Sequence, residues 1–130
     1  MIKFKVKTET REALYEITAE VQRAVDERGV SEGICHIYVP HTTAAVLIQE
    51  ADDPAVARDI ATHLRRLIPR EGSYEHHEDN ADAHIKATTV GNTVAVFVER
   101  GKVCLGTWQG IFFCEFDGPR TREVWVTVQG

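Results

Sequence analysis

The sequence predicts an α+β protein, an antiparallel β-sandwich with two helices packed on one side. Two stretches carry apolar residues at helical spacing and stop at Gly29 and Pro69, each followed by chain that cannot continue the period. Most of the remaining chain consists of short apolar runs, alternating or continuous, separated by turn residues. These runs are grouped. One strand, a helix, two strands and a helix precede four or five further strands, whereas a doubly wound sheet needs strict strand–helix alternation.

Residues 2 to 7 place Ile2, Phe4 and Val6 on one face and Lys3, Lys5 and Lys7 on the other. That is a half-buried strand whose lysines suit a solvated face or an edge. Thr10 is placed to cap a helix from Arg11 to about Arg28, with the apolar stripe Leu14, Ile17, Val21 and Val25 and a stop at Gly29. "GICHIYVP" reads as a buried strand ended by Pro40. Residues Ala44 to Ile48 form the next, framed by His41, Thr42 and Thr43 before it and Glu50, Asp52 and Asp53 after it. Asp53 before Pro54 is a helix start, because proline is pre-set for the first helical position. That second helix carries Val56, Ile60, Leu64 and Leu67 on its inner face and ends near Ile68.

Residues 70 to 82, "REGSYEHHEDNAD", have no period and form the longest loop, a kind of segment that often carries function. From His84 onward the pattern reads as β. "HIKATTV" and "TVAVFVE" flank a two-residue turn at Gly91-Asn92, "ERGK" makes another turn, and "VCLGTWQGIFFCEF" makes one bent strand or two shorter ones with glycines at the bends. "DGPR" is a third turn. "TREVWVTVQ" closes the chain with Val124, Val126 and Val128 opposite Glu123, Trp125 and Thr127.

At 130 residues the chain is one domain on length. Its net charge of −5 lacks the basic excess of a general nucleic-acid binder. Cys35, Cys104 and Cys114 are an odd number of thiols in apolar, strand-like surroundings with no CxxC pair, which reads as reduced, buried cysteine in a cytoplasmic protein. No run reaches the roughly 18 apolar residues that cross a bilayer, and the alternating N-terminus has no apolar signal-peptide segment.

The candidate chemistry lies in four places. His41 sits where a strand begins, and His76 and His84 lie in or beside the long loop. Together they are the ligand number a catalytic zinc uses while keeping one position open, although their spacing matches no compact zinc signature. The carboxylates Glu75, Glu78, Asp79 and Asp82 fit groups that orient imidazoles, or a solvated acidic loop. Glu50 ends a buried strand, where partial desolvation would raise its pKa towards the range of a general acid or base; a carboxylate emerging into water is the plain alternative. In "LGTWQG", Gln109 offers donor and acceptor, while Trp108 stacks on a planar ligand or plugs the core. Arg120 and Arg122 open the last strand with forks that match phosphate geometry. Asp53 is a cap or a site residue. His36 and His63 read as structural or surface residues.

Three blocks, "HTTAAVLIQEADDP", "YEHHEDNADAHIKAT" and "GKVCLGTWQGIFFCEFDGPRTREVWVTVQG", resemble in order the signature blocks of the YjbQ-like family, also described as secondary thiamine-phosphate synthases. The resemblance covers nearly the whole chain as one YjbQ-like domain. It implies a bifurcated antiparallel β-sandwich with two helices and a homotrimer. Its motifs fall on His41, Thr42, Thr43, Glu50 and Asp53, on Tyr74, His76, Asp82 and His84, and on Gly106 to Gly110 and Arg122. His77 falls on no motif position. Related sequences commonly place Asn on both sides of the motif glutamate, where this chain has Gln49 and Ala51.

The implied activity joins a pyrimidine diphosphate to a thiazole phosphate and releases pyrophosphate, as a weak side activity. On that reading Glu50, His41 and Gln109 are catalytic. A divalent metal, zinc or magnesium, sits on His41, His76 and His84. Thr42, Thr43, Trp108, Arg120, Arg122 and Lys86 hold the phosphorylated metabolite. A non-catalytic trimeric module binding a metal or small anion, and a metal-dependent hydrolase, are the alternatives. One geometric consequence follows from the strand: seven residues at roughly 3.3 Å each span about 23 Å. His41 and Glu50 therefore meet only if the strand bends or a second subunit closes the gap.

Overall fold

The computed structural model describes residues 1–130. Its strands are β1 (Ile2–Lys7), β2 (Ala13–Glu16), β3 (Gly33–Tyr38), β4 (Ala44–Glu50), β5 (Thr93–Glu99), β6 (Lys102–Val103), β7 (Gln109–Glu115) and β8 (Thr121–Gln129). Its helices are α1 (Thr18–Arg28), α2 (Pro54–Leu67) and α3 (Ala81–Val90). A five-stranded sheet in the order β1-β8-β3-β5-β6 faces a three-stranded sheet in the order β2-β7-β4. Every pairing is antiparallel. The α+β sandwich expected from the grouped strands is the observed architecture.

The core between the sheets is built by the inward residues of alternating strands. Val124, Val126 and Val128 of β8 meet Val96 and Val98 of β5, Val46 of β4 and Ile111 and Phe113 of β7. α1 closes one end through Ile17, Val21 and Val25 in the same cluster. α2 and α3 lie on the outer face of the small sheet, where Leu64, Ala83 and Ala87 pack on Ala45, Cys114 and Phe116. β7 is thus covered on both faces, which is why "IFFC" is continuously apolar rather than alternating.

The backbone departs from the sequence expectation at three points. Residues 13–16 are a strand, not the first turn of α1. Leu14, Ile17, Val21 and Val25 run on at helical spacing, but Ala13 to Glu16 pair with Glu115 to Phe112. The helix begins only after Ile17 gives its N–H to the Ile111 carbonyl at 2.8 Å. It ends as expected at Gly29, at φ 68°, a left-handed conformation that glycine adopts without a steric penalty.

"HIKATTV" is helix, not strand. The small residues Ala83 and Ala87 allow α3 to sit directly on β4 and β7, and Asp82 pairs with Lys86 one turn on. Thr88 and Thr89, strand formers by propensity, return their hydroxyls to the carbonyls of His84 and Ile85, a bond that threonine makes within helices. Consequently Gly91-Asn92 is not a hairpin turn: Gly91 caps α3, its N–H reaching the Ala87 carbonyl. There are three helices, not two.

α2 starts where Asp53 and Pro54 place it, with Asp53 Oδ1 accepting the Ala55 N–H at 2.9 Å. Its expected inner face is only half-buried, however, and Leu67 is 77% exposed. Of the cysteines, Cys35 and Cys114 are buried and Cys104 is exposed. No helix is long and apolar enough to cross a membrane.

Candidate functional site

β4 carries candidate residues at both ends, and the two ends line separate clefts. At its start, His41 and Thr42 line a cleft of about 420 Å3 with His84 and Thr88 of α3 and Asn92 beyond it. The cleft exists because α3 lies along β4. His76, from the loop before α3, stands edge-on to His84, with ring centroids 5.1 Å apart and planes at 79°. The three imidazoles are therefore strung along one flank. No group of three or more His, Cys, Asp or Glu side chains gathers closely enough to share a metal ion, so the expected His41–His76–His84 set does not close within one chain.

His41 is spoken for at one nitrogen. Its Nε2 accepts the Glu123 backbone N–H at 2.9 Å. In the neutral ring the proton is then on Nδ1, which makes that atom a donor rather than a metal ligand. Burial, and then the nearby Arg122 guanidinium, hold the imidazole pKa below its ordinary value against the opposing pull of Glu115 and Glu123.

Two of the expected phosphate-binding cations, Arg122 and Lys86, are spent inside the fold. Arg122 forks onto the Glu115 carboxylate and reaches Thr43 Oγ1 at 2.8 Å, all three buried. Thr8 Oγ1 donates to the same carboxylate at 2.8 Å. Lys86, 1% exposed, is clasped by Asp82 at 2.7 Å and by Glu12. Arg11 reaches Asp82 at 3.2 Å and Arg65 reaches Glu12 at 2.7 Å. Arg120 pairs with Asp117 at 2.8 Å. Burial of Asp82 favours its neutral form, but hydrogen bonds and charge from Arg11 and Lys86 outweigh it and hold the carboxyl below its ordinary pKa. Arg122, Lys86 and Thr43 are thus corrected from ligand-binding to fold-holding groups, while Arg120 stays half-exposed in a surface pair. Glu12, Arg11 and Glu115 were passed over in the sequence; Glu115, a charge inside "IFFCEF", was the visible signal, since a buried carboxylate demands a partner.

At the far end of β4, Glu50 lies opposite Gln109 in the register. Gln109 Oε1 accepts the Gly106 N–H at 2.8 Å and so shapes its own turn. Trp108 is 60% exposed and does not plug the core. β7 comes this close because Gly110 has no side chain: a Cβ there would lie 2.6 Å from Ala51 Cβ. Glu50 lines a separate cleft of about 530 Å3 beneath α2, with Glu16, Arg58 and Phe112. Asp53 is the helix cap. His77 is exposed on the loop, away from the His41 cleft.

An α+β sandwich with a histidine-lined cleft beneath a helix of alanines is the class these features define. The chain belongs to the UPF0047 YjbQ-like family, whose model matches residues 2–130. It is 48% identical to the UPF0047 protein MJ1081 of Methanocaldococcus jannaschii, over 100% of this chain and 94% of that one. It is 44% identical to the UPF0047 protein YugU of Bacillus subtilis, over 96% of each. Among solved structures, an uncharacterised YjbQ/UPF0047 family protein from Clostridium acetobutylicum superposes with TM-score 0.97 at 46% identity, covering 99% of this chain and 100% of that one. A YbjQ-like protein of unknown function from Sulfolobus solfataricus superposes with TM-score 0.94 at 36% identity, covering 99% and 95%.

Proposed function

We propose that this chain is a small-molecule enzyme with weak thiamine-phosphate-synthase-type activity, working on a phosphorylated metabolite at a divalent-metal and histidine site, as a homotrimer. The observation that carries the reading is the position of His84. It touches the His76 ring on one side and lines the His41 cleft on the other.

The metal's seat on this reading is His76 and His84. Their rings stand edge-on with centroids 5.1 Å apart, and imidazole nitrogens are the donors a zinc would take. Two ligands are too few, so the remaining donors come from a neighbouring copy. Such an ion would supply charge neutralisation to a diphosphate leaving group, a role that Arg122 and Lys86, being paired internally, leave unfilled. His41 contributes an N–H donor beside it, and Glu50 with Gln109 joins the site only from another subunit.

Metal content tests the reading. Protein purified and then equilibrated with zinc should hold a stoichiometric ion, and His84→Ala should lose it. Turnover of the pyrimidine diphosphate and thiazole phosphate should fall with the metal. Wild-type protein that binds no divalent ion would overturn the proposal. Bound metal without turnover favours the second reading, a trimeric module that holds a metal or small anion. The internal pairing of Arg122 and Lys86 supports the metal-holding form of that alternative.

A further inference from the structure

We propose that the groove between α3 and the loop of residues 70–80 holds a planar heteroaromatic ring, the body of the phosphorylated metabolite, with Tyr74 and Ile85 as the residues that select it. The inference rests on the preceding reading of the site as one for a phosphorylated metabolite, and adds which end of that molecule lies where.

His84 stands between two recesses of opposite character. On one side is the His41 cleft, where Thr42, Thr88, Asn92 and the two imidazoles alternate with small residues. On the other is a groove of about 440 Å3 walled by Tyr74, His76, His84 and Ile85. Three of these walls are flat rings. The fourth, Ile85, is a branched apolar side chain left 42% exposed. α3 buries Ala83, Lys86 and Ala87, which turns Ile85 towards the loop.

The groove is formed before any ligand arrives. Arg70 ties the two ends of the loop together, its Nε donating to the Asp79 carbonyl at 3.2 Å and its guanidinium pairing with the Asp79 carboxylate at 2.9 Å. Tyr74 donates its hydroxyl to the Pro69 carbonyl. Its ring lies against Gly72, where a Cβ would come within 3.2 Å of Cε2 and Cζ. A pre-set aromatic wall beside two imidazoles favours a flat partner over a puckered one. Charge then sets the direction. Glu75 is the one carboxylate in the groove, and it repels a phosphate. The His41 cleft holds no carboxylate. The ring therefore lies on the loop side of His84 and the phosphate on the His41 side.

Hydroxyethylthiazole, an uncharged ring, is the probe, applied to protein dialysed against chelator so that metal binding is measured separately. It should produce saturable NMR shifts at the Ile85 methyls and the Tyr74 ring. Cyclohexylethanol, puckered and of similar size, should bind at least about threefold more weakly. Ile85→Ser should raise the Kd for hydroxyethylthiazole about fivefold with Tm unchanged. Tyr74→Leu should weaken it in the same direction and stands in if the first variant is unstable. Thiazole phosphate should keep the shifts at Ile85 and add others at the Asn92 side-chain amide. Absence of saturable binding, ring shifts centred on Asn92 in place of Ile85, equal affinity for the puckered alcohol, or equal affinity in the available variant would overturn the proposal. Protein that takes the ring at Ile85 yet binds no zinc sinks the metal seat alone, and protein that binds zinc but not the ring sinks this groove alone.

Discussion

At the scale of single residues, the chemistry of this chain is decided by what each polar atom is already doing. Arg122 is suited to phosphate by its fork, yet the same fork fits Glu115, which has no water to solvate it. A buried carboxylate left alone costs several kcal/mol, so the arginine is held inward. His41 is neutral for a related reason: burial and the Arg122 charge both oppose a second positive charge. The sign of its effect on stability follows. The folded state binds the proton less readily than the unfolded chain, whose histidine titrates at about 6.5. The His41 contribution is therefore fully present above about pH 6.5 and is lost as pH falls towards the lower folded pKa. Thermal midpoints measured from pH 7.5 down to 5 should fall for the wild type, and His41→Gln should show a smaller fall across the same window. Identical pH profiles would remove His41 as a neutral, desolvated group.

Elements are held in place by charge as much as by apolar packing. α3 is weakly amphipathic in sequence, but Lys86 pins it by pairing with Asp82 on its own face and Glu12 beside β2. Arg65 brings α2 to the same carboxylate. Glu12 is thus the joint of both helices, and it orients the face of α3 that carries His84. Removing one partner of a buried pair leaves an uncompensated charge, at a cost of about 3–5 kcal/mol. Lys86→Ala should lower unfolding free energy by about that amount in a urea titration and should shift the His84 ring resonances. A loss below about 1 kcal/mol, with His84 unmoved, would show that α3 is seated by Ala83 and Ala87 alone. Asp82 remains ionised well into acid because Arg11 and Lys86 outweigh its burial. Its stabilising contribution should persist until pH falls below the ordinary carboxylate range of about 3.9.

For the molecule as a whole, the unresolved balance lies on the outer face of the five-stranded sheet. Phe97 is 69% exposed beside Ile34, and Tyr38 stacks at 5.6 Å on Trp125, over which Lys3 lies at 4.5 Å. A patch of aromatic and branched side chains on one flat face marks an interaction surface. On the proposed trimeric reading it would be the face offered to a neighbouring copy. Phe97→Asp should convert the trimer to monomer in sedimentation equilibrium at micromolar concentration while leaving the far-ultraviolet circular dichroism unchanged. A wild type that sediments as a monomer would remove the assembly and, with it, the closing of the gap between His41 and Glu50.

The alternation of β1 and β8, the Asp53–Pro54 helix start and the Gly29 stop were all legible in residue order, because each is set by local stereochemistry or by a side-chain period matched to one buried face. Residue order also carried the family resemblance and the separation of the two ends of β4. It did not reveal that residues 13–16 leave the helical stripe to pair with β7, or that "HIKATTV" coils onto β4. Both depend on partners about a hundred and about forty residues away in the chain. Nor did it disclose which cations were free. Tertiary structure decided that, since a charge taken out of water binds the nearest opposite charge the fold supplies, and that neighbour is a property of three dimensions.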